Sequence, residues 1–308
     1  MPGRVFTESE RKRLDAFPSE IAELDLIRYF TLSGSDLEFA RQQRGDHNRL
    51  GFALQLCVLR YLGFCPDDLV TAPPAAISFV ADQLQVTPAA LRTYGARPQT
   101  RTGHLQQIQR YLGFHDATRE DLQMLANWLL ARALEHDKPS LLSQLAREHL
   151  LAEKIVRPGV TLLERLVMAA RERGHRETFH RLASFFTNER LVTFDSLLIR
   201  EESLGRTPLA WLGHRAAANT SKAIVAELKK LDFLSSLGAA GWDLSVINPN
   251  RLKFLAQLGR RATSQALQRS VPERRYPILA AFGKQRRGST GSFRLYQALG
   301  LSMLRLTR

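Results

Sequence analysis

The feature that most constrains this chain is a pentapeptide present twice, Arg60-Tyr61-Leu62-Gly63-Phe64 and Arg110-Tyr111-Leu112-Gly113-Phe114. A helix-turn-helix-like pattern follows each copy at similar spacing, and the apolar run of helical period at the first copy stops on Gly63. After the first copy, Ala81, Leu84, Val86 and Leu91 read as two short helices around a tight turn, with Thr87 as cap and Pro88 at the first helical position. After the second, Ala131 and Leu134 recur at the same offset. Pro139 and Leu141 continue the pattern with one residue inserted, near Asp137 and Lys138. The spacing predicts a duplicated DNA-reading module of about fifty residues. A plain helical hairpin is the competing reading. Gln85 occupies a turn position where positive φ favours glycine, which calls for a wider turn.

Helical periodicity dominates the rest of the chain and alternating runs are scarce, so the expected fold is all-α, tandem helix-turn-helix-like modules followed by a further helical domain. Residues 1–70 read as a three-helix unit: Leu24 to Phe30, Asp36 to Arg44 capped by Ser33 or Ser35, and a longer helix capped by Asp46 after Gly45 and ending at Gly63. Residues 71–104 hold the first helix-turn-helix and a basic linker. Residues 105–158 form the second module, its long helix started by Thr118 with Asp121 and its next by Lys138-Pro139-Ser140, with Arg147, Glu148 and His149 on the outer side. Residues 159–285 read as a helical domain of unclear role. It opens with a helix from Thr161 to Arg173 that exposes Arg165, Arg171 and Arg173, and Trp211, Phe233, Leu237 and Trp242 supply packing. Residues 286–308 stand apart as an atypical basic tail.

Charge narrows the partners. The 308 residues carry 44 Lys and Arg against 30 Asp and Glu, a formal net charge of +14, and Arg far outnumbers Lys. Such a field favours nucleic acid or an anionic membrane surface, and Arg suits phosphate and guanine geometry. The charged stretch Met1 to Asp15 is unlike a secretion signal and no apolar run reaches membrane-spanning length, so a cytoplasmic, nucleoid-associated protein with no membrane partner is expected. Cys57 and Cys65 match no common zinc spacing, and His175 and His180 are five apart rather than the four that align ligands on one helix face. No phosphate-loop, Gly-x-Ser-x-Gly or His-Glu-x-x-His motif is present. Catalytic, metal and cofactor sites are therefore all expected to be absent.

In the first module Ala89, Ala90, Arg92 and Thr93 should face outward, with Arg92 the best base contact. The basic, hydroxyl-rich segment from Arg97 through Gln99 and Arg101 to His104 reads either as a flexible arm on phosphates or in a minor groove, or as a solvated linker.

The order of these pieces resembles a known family. Leu26 to Leu32, Arg44 to Leu56 (Arg-Gly-Asp-His-Asn-Arg-Leu-Gly-Phe-Ala-Leu-Gln-Leu), Leu59 to Gly63, and Asn250-Arg251-Leu252 to Arg274-Arg275-Tyr276 look like the N-terminal part of Tn-three family transposases, the replicative class II bacterial transposons. The resemblance covers about residues 4 to 285, and the Arg44 to Leu56 block is its most specific stretch. It implies helical domains that bind the terminal inverted repeats of a transposon in double-stranded DNA. The family's downstream strand-transfer domain, with its Asp-Asp-Glu metal site, is missing, so the chain by itself should not be an enzyme. On that resemblance His47, Asn48 and Arg49 join Arg92, Thr93, Arg97, Gln99, Arg101 and His104 as candidate DNA contacts. Full-length transposase or a second copy are further partners, and a helical scaffold that pairs with the full-length protein is the alternative function. A metal-dependent nuclease would need clustered carboxylates that the sequence does not assign. After Glu273 no acidic residue occurs, and from Arg286 the sequence departs from the family pattern, as a frameshifted tail would. A natural basic helix at Phe293 to Leu306 is the other reading.

Overall fold

The computed structural model describes residues 6–96, 98–214 and 220–288, in two compact units: residues 1–129 with 138–170, and residues 130–137 with 171–308. The Phe293 to Leu306 segment and Arg97 lie outside the described residues.

The elements of the first unit, in order, are α1 (Glu8–Asp15), α2 (Glu23–Phe30), α3 (Gly34–Arg41), α4 (Asp46–Leu62), α5 (Pro74–Leu84), a 3-10 segment Pro88–Thr93, α6 (Pro98–Leu112), β1 (His115–Asp116), α7 (Arg119–Ala133), α8 (Pro139–Ala152), β2 (Ile155–Val156) and α9 (Val160–Arg181). α7 and α9 begin in this unit and end in the second. The strands are dipeptides paired in parallel, and the fold is all-α.

α4 organises the unit. All ten residues from Leu50 to Leu59 are buried, which a helix tolerates only when neighbours cover every face. α2, α3, α5, α6 and the 3-10 segment supply that cover. Phe30, Leu32, Leu69, Val80, Leu91 and Ile108 enter the same core, so residues that the sequence divides at 70 and 104 share one hydrophobic interior. Ser33 opens α3 through a reciprocal capping box with Asp36. Thr118 and Asp121 exchange the same pair of bonds ahead of α7.

The repeated pentapeptide serves to end helices. Gly63 and Gly113 both take left-handed φ, 74° and 76°, where a Cβ is strained. The two copies also meet: Arg60 Nη2 donates to both oxygens of Asp36 at 3.1 Å, and the Tyr111 hydroxyl donates to Oδ1 at 3.0 Å. Burial alone would raise the Asp36 carboxyl. The Ser33 N–H and the Arg60 guanidinium outweigh it and hold the group below its ordinary value.

Several sequence expectations change. Gly45, at φ 79°, is the N-cap of α4 and Asp46 is its first helical residue. Gln85 itself adopts the left-handed conformation, φ 59°, so the turn after α5 is tight and no wider turn is needed. The element after it is a six-residue 3-10 segment with no side-chain cap from Thr87, whereas its counterpart α8 is a 14-residue α-helix. The duplication therefore does not extend to matching second helices. Residues 98–104, read as an arm or linker, are the start of α6. Arg147 is half-buried in α8 rather than outward, and burial pulls its guanidinium below its ordinary value.

The second unit adds α10 (Asn188–Ser196), α11 (Pro208–Gly213), α12 (Ser221–Ser236), α13 (Pro249–Arg261), α14 (Ser264–Gln268) and a helix α15 over 272–288. Phe185, Phe186, Phe194, Trp242 and Tyr276 form its aromatic centre, and Trp211, Phe233 and Leu237 pack against it as expected. Its polar centre is Arg251, fully buried. Nε donates to Thr178 Oγ1 at 2.6 Å, Nη1 to the Ala133 carbonyl, and Nη2 lies 3.4 Å from His175 Nδ1. His175 Nε2 stands 3.0 Å from Asp137 Oδ2, and Arg171 Nε donates to Oδ1 at 2.6 Å. Burial works against the Asp137 charge, but His175, Arg171 and Arg251 keep its carboxyl below the ordinary value. Arg171 is thus an interior ion-pair partner, and the helix read as ending at Arg173 continues to Arg181. Arg286, placed by sequence in the atypical tail, is buried. It donates to Glu227 at 2.7 and 2.9 Å and to the Leu212 carbonyl at 2.8 Å.

Candidate nucleic-acid interface

The block Arg44 to Leu56 builds the turn into α4 and about its first three turns. Gly45 brings the His47 ring so close that a Cβ would stand 2.9 Å from its Cε1. Asn48 Nδ2 donates to the Arg44 carbonyl at 2.8 Å, and Arg49 Nε to the Gln43 carbonyl at 3.1 Å. These bonds fix the loop that presents Arg44 to solvent. Arg49 also faces Asp46 at 3.4 Å on the open surface, a pairing of small energetic weight.

His47 and Asn48 share a surface pocket of about 240 Å³ with Thr93, Gly95, Ala96 and Thr100. Three sequence-predicted residues are therefore brought together from the start of α4 and the end of the 3-10 segment, with the first turn of α6 closing the rim. Arg92, next to Thr93, is exposed, as is Gln99 next to Thr100. Arg101 is half-exposed and 3.8 Å from Asp67.

His104 is placed differently. Only 7% exposed, it meets Phe52 edge-on at 5.3 Å and stacks near Tyr94 at 5.7 Å. The Tyr94 hydroxyl donates to Gln55 Oε1 at 2.9 Å and lies 3.0 Å from His104 Nδ1. Gln55 turns its amide nitrogen toward the Arg101 carbonyl, at 3.5 Å. With the phenol proton directed to Gln55, the tautomer of His104 that carries its hydrogen on Nδ1 completes the second bond, donating to the Tyr94 oxygen. Burial lowers the His104 pKa from its ordinary 6.5 and raises that of the Tyr94 phenol, so both groups are neutral here. His104 thus offers little surface here. It locks α6 to α4 beneath the surface.

The lock depends on Gly51. A Cβ there would stand 2.2 Å from Cγ and Cδ2 of Tyr94, so the ring lies flat on the bare helix backbone. Sequence reading missed this hub and the helical state of residues 98–104. The signals were available: Pro98 at a first helical position, and Leu105, Ile108 and Leu112 at helical spacing.

Among the described residues, no group of His, Cys, Asp or Glu is arranged to hold a metal ion, and no helix is long and apolar enough to cross a membrane. Cys57 is buried and its thiol is pushed up to about 12, mainly by burial, which leaves it unreactive.

Comparison with known proteins bears on the same block. A family described as "Domain of unknown function (DUF4158)" matches residues 5–170. The chain is 34% identical over 282 residues to the transposase for transposon Tn501 from Pseudomonas aeruginosa, covering 91% of this chain and 28% of that protein. It is 32% identical over 287 residues to the transposase for transposon Tn21 from Escherichia coli, covering 92% and 29%. It is 28% identical over 280 residues to the transposase for transposon Tn1546 from Enterococcus faecium, covering 90% and 28%. The chain thus spans under a third of the length of these relatives. It belongs to the DUF4158 family and is homologous along most of its length to Tn-three family transposases.

Proposed function

We propose that this chain is a DNA-binding part of a transposase that recognises transposon terminal inverted repeats and does not itself cut them. The observation that carries the reading is the similarity to transposases along nine-tenths of the chain. The net charge of +14 supports it, because phosphate neutralisation supplies much of DNA affinity. So does the clustering of His47, Asn48 and Thr93 around one pocket, flanked by exposed Arg44, Arg92 and Gln99. In this reading Arg49 and Arg101 add phosphate contacts, and His104 acts from the interior by holding α6 in place.

The test is a pair of titrations, on a duplex carrying the transposon end and on a shuffled duplex, with wild type and Arg92→Ala. Arg92→Ala is expected to weaken binding to the end more than to the shuffled duplex, and equal losses would remove its base-reading role. Incubating the end duplex with the chain in magnesium is expected to leave it intact. Cleavage there would refute the non-catalytic assignment.

A further inference from the structure

α6 has two unlike sides. His104 and Ile108 are buried, and Leu105 and Leu112 pack against the core beside them. At 100° per residue, Gln99, Thr102, Gly103, Gln106 and Arg110 fall on the opposite side within an arc of about 100°. All but Gly103 are exposed, and Gly103 is half-exposed. The helix contains no carboxylate from Pro98 to Leu112, so nothing on it repels a phosphate. Among the described residues, the side chains of Gln99, Gln106 and Arg110 make no hydrogen bond or ion pair. The Thr102 hydroxyl donates back to the Pro98 carbonyl at 3.2 Å.

Gly103 is the telling residue. Glycine inside a helix is less favourable than alanine, and a fold usually accepts it because a neighbour presses on the bare backbone, as Tyr94 does at Gly51. At Gly103 a Cβ would meet nothing within 4 Å, and the residue is not at positive φ. Among the described residues no contact requires the missing side chain. A body that approaches α6 from outside would require it.

We infer that α6 is the helix that enters the DNA major groove, with Gln99, Gln106 and Arg110 reading base edges and Gly103 left bare so that the groove closes onto the helix backbone. The inference rests on the DNA-binding reading above and names the element that carries its specificity. Gln pairs in bidentate fashion with adenine and Arg with guanine in that groove, which is wide enough to admit an α-helix. From Gln99 to Arg110 the face runs about 16 Å, roughly five base-pair steps. The 3-10 segment Pro88–Thr93, six residues long, offers a shorter reading surface.

The experiment compares wild type with Gly103→Leu, Gln106→Ala and Arg110→Ala in the full chain, on end and shuffled duplexes, with urea midpoints measured in parallel. Gly103→Leu is expected to keep or raise the urea midpoint, because the position is open and leucine favours helix. It is also expected to weaken end binding at least tenfold while shuffled binding changes little. Arg110→Ala is expected to lose about 5- to 150-fold on the end and to relax preference at one base pair. Retention of wild-type end preference by both Gly103→Leu and Arg110→Ala would overturn the assignment of α6 while leaving end recognition standing. A wild type that does not distinguish end from shuffled duplex would remove the DNA-end reading and this inference with it. Loss of binding to full-length transposase in Gly103→Leu, with DNA binding intact, would make the face a protein contact and would likewise overturn it.

Discussion

Replacing Gly51 with alanine should destabilise the first unit, against the usual sign of a glycine-to-alanine change in a helix. At an open helical site the substitution stabilises by about 1 kcal/mol. At Gly51 the added Cβ would stand 2.2 Å from two Tyr94 ring atoms and 2.5 Å from a third. Carbon atoms settle at about 3.5–4.0 Å, so the ring must withdraw by about 1.5 Å. The Tyr94 hydroxyl cannot follow and keep its 2.9 Å bond to Gln55 and its 3.0 Å contact with His104. Overpacking costs about 1–3 kcal/mol, and two broken, partly buried hydrogen bonds cost about 1 kcal/mol each. Set against the propensity gain, the net loss is about 2–4 kcal/mol. Amide hydrogen exchange along α4 reads this locally, and the loss corresponds to exchange about 30- to 1,000-fold faster from Phe52 to Leu59. Unchanged or slower exchange would refute the claim that Tyr94 clamps α6 against α4 through the bare Gly51.

Arg251→Met removes a fully buried cation from Thr178, Ala133 and His175, and it should cost the second unit about 3–5 kcal/mol, read as a lower urea midpoint for the Trp242 signal. Arg251→Lys should recover part of that loss. His104, its pKa lowered by burial, contributes stability that is complete above 6.5 and is lost as pH falls from 6.5 to its folded value. His104→Gln should therefore flatten the pH dependence of first-unit stability in that window, and an unaltered slope would place the titration elsewhere. Asp36 has its pKa depressed in the fold, so its contribution is present above 3.8 and is lost as pH falls through the folded value. Asp36→Asn should remove that part of the acid limb in an unfolding series, and Tyr111→Phe should remove a smaller part.

The all-α class and several helix ends were legible because they rest on local chemistry. The apolar period, the Ser33 and Thr118 caps, and the glycine that ends α4 are all properties of a few neighbouring residues. The candidate surface was only half legible. His47, Asn48 and Thr93 do converge, yet their convergence depends on Gly51 and Tyr94, which are 43 positions apart and carry no signal of their partnership in either stretch. Residues 98–104 looked like a linker because their polar composition belongs to the exposed side of α6, while the apolar half of the period comes only after His104. Gln85 shows the opposite failure: a local rule favoured glycine, and the packing of α5 on α4 holds a glutamine in the left-handed region instead. Arg171 read as a surface charge and Arg286 as the start of an atypical tail because nothing near them in sequence announces Asp137 or Glu227, the carboxylates that draw them inside.

The most direct test of the central claim is a fluorescence anisotropy titration of the purified chain on a labelled transposon-end duplex and on its shuffled counterpart, repeated across a salt series. Affinity for both should fall steeply as salt rises, because counterions released from neutralised phosphates drive the shared part of binding. Preference for the end should survive at about 0.15 M salt, where base contacts remain after the phosphate contribution has weakened. Equal affinities for the two duplexes at every salt concentration would contradict it and leave a basic helical protein without end recognition.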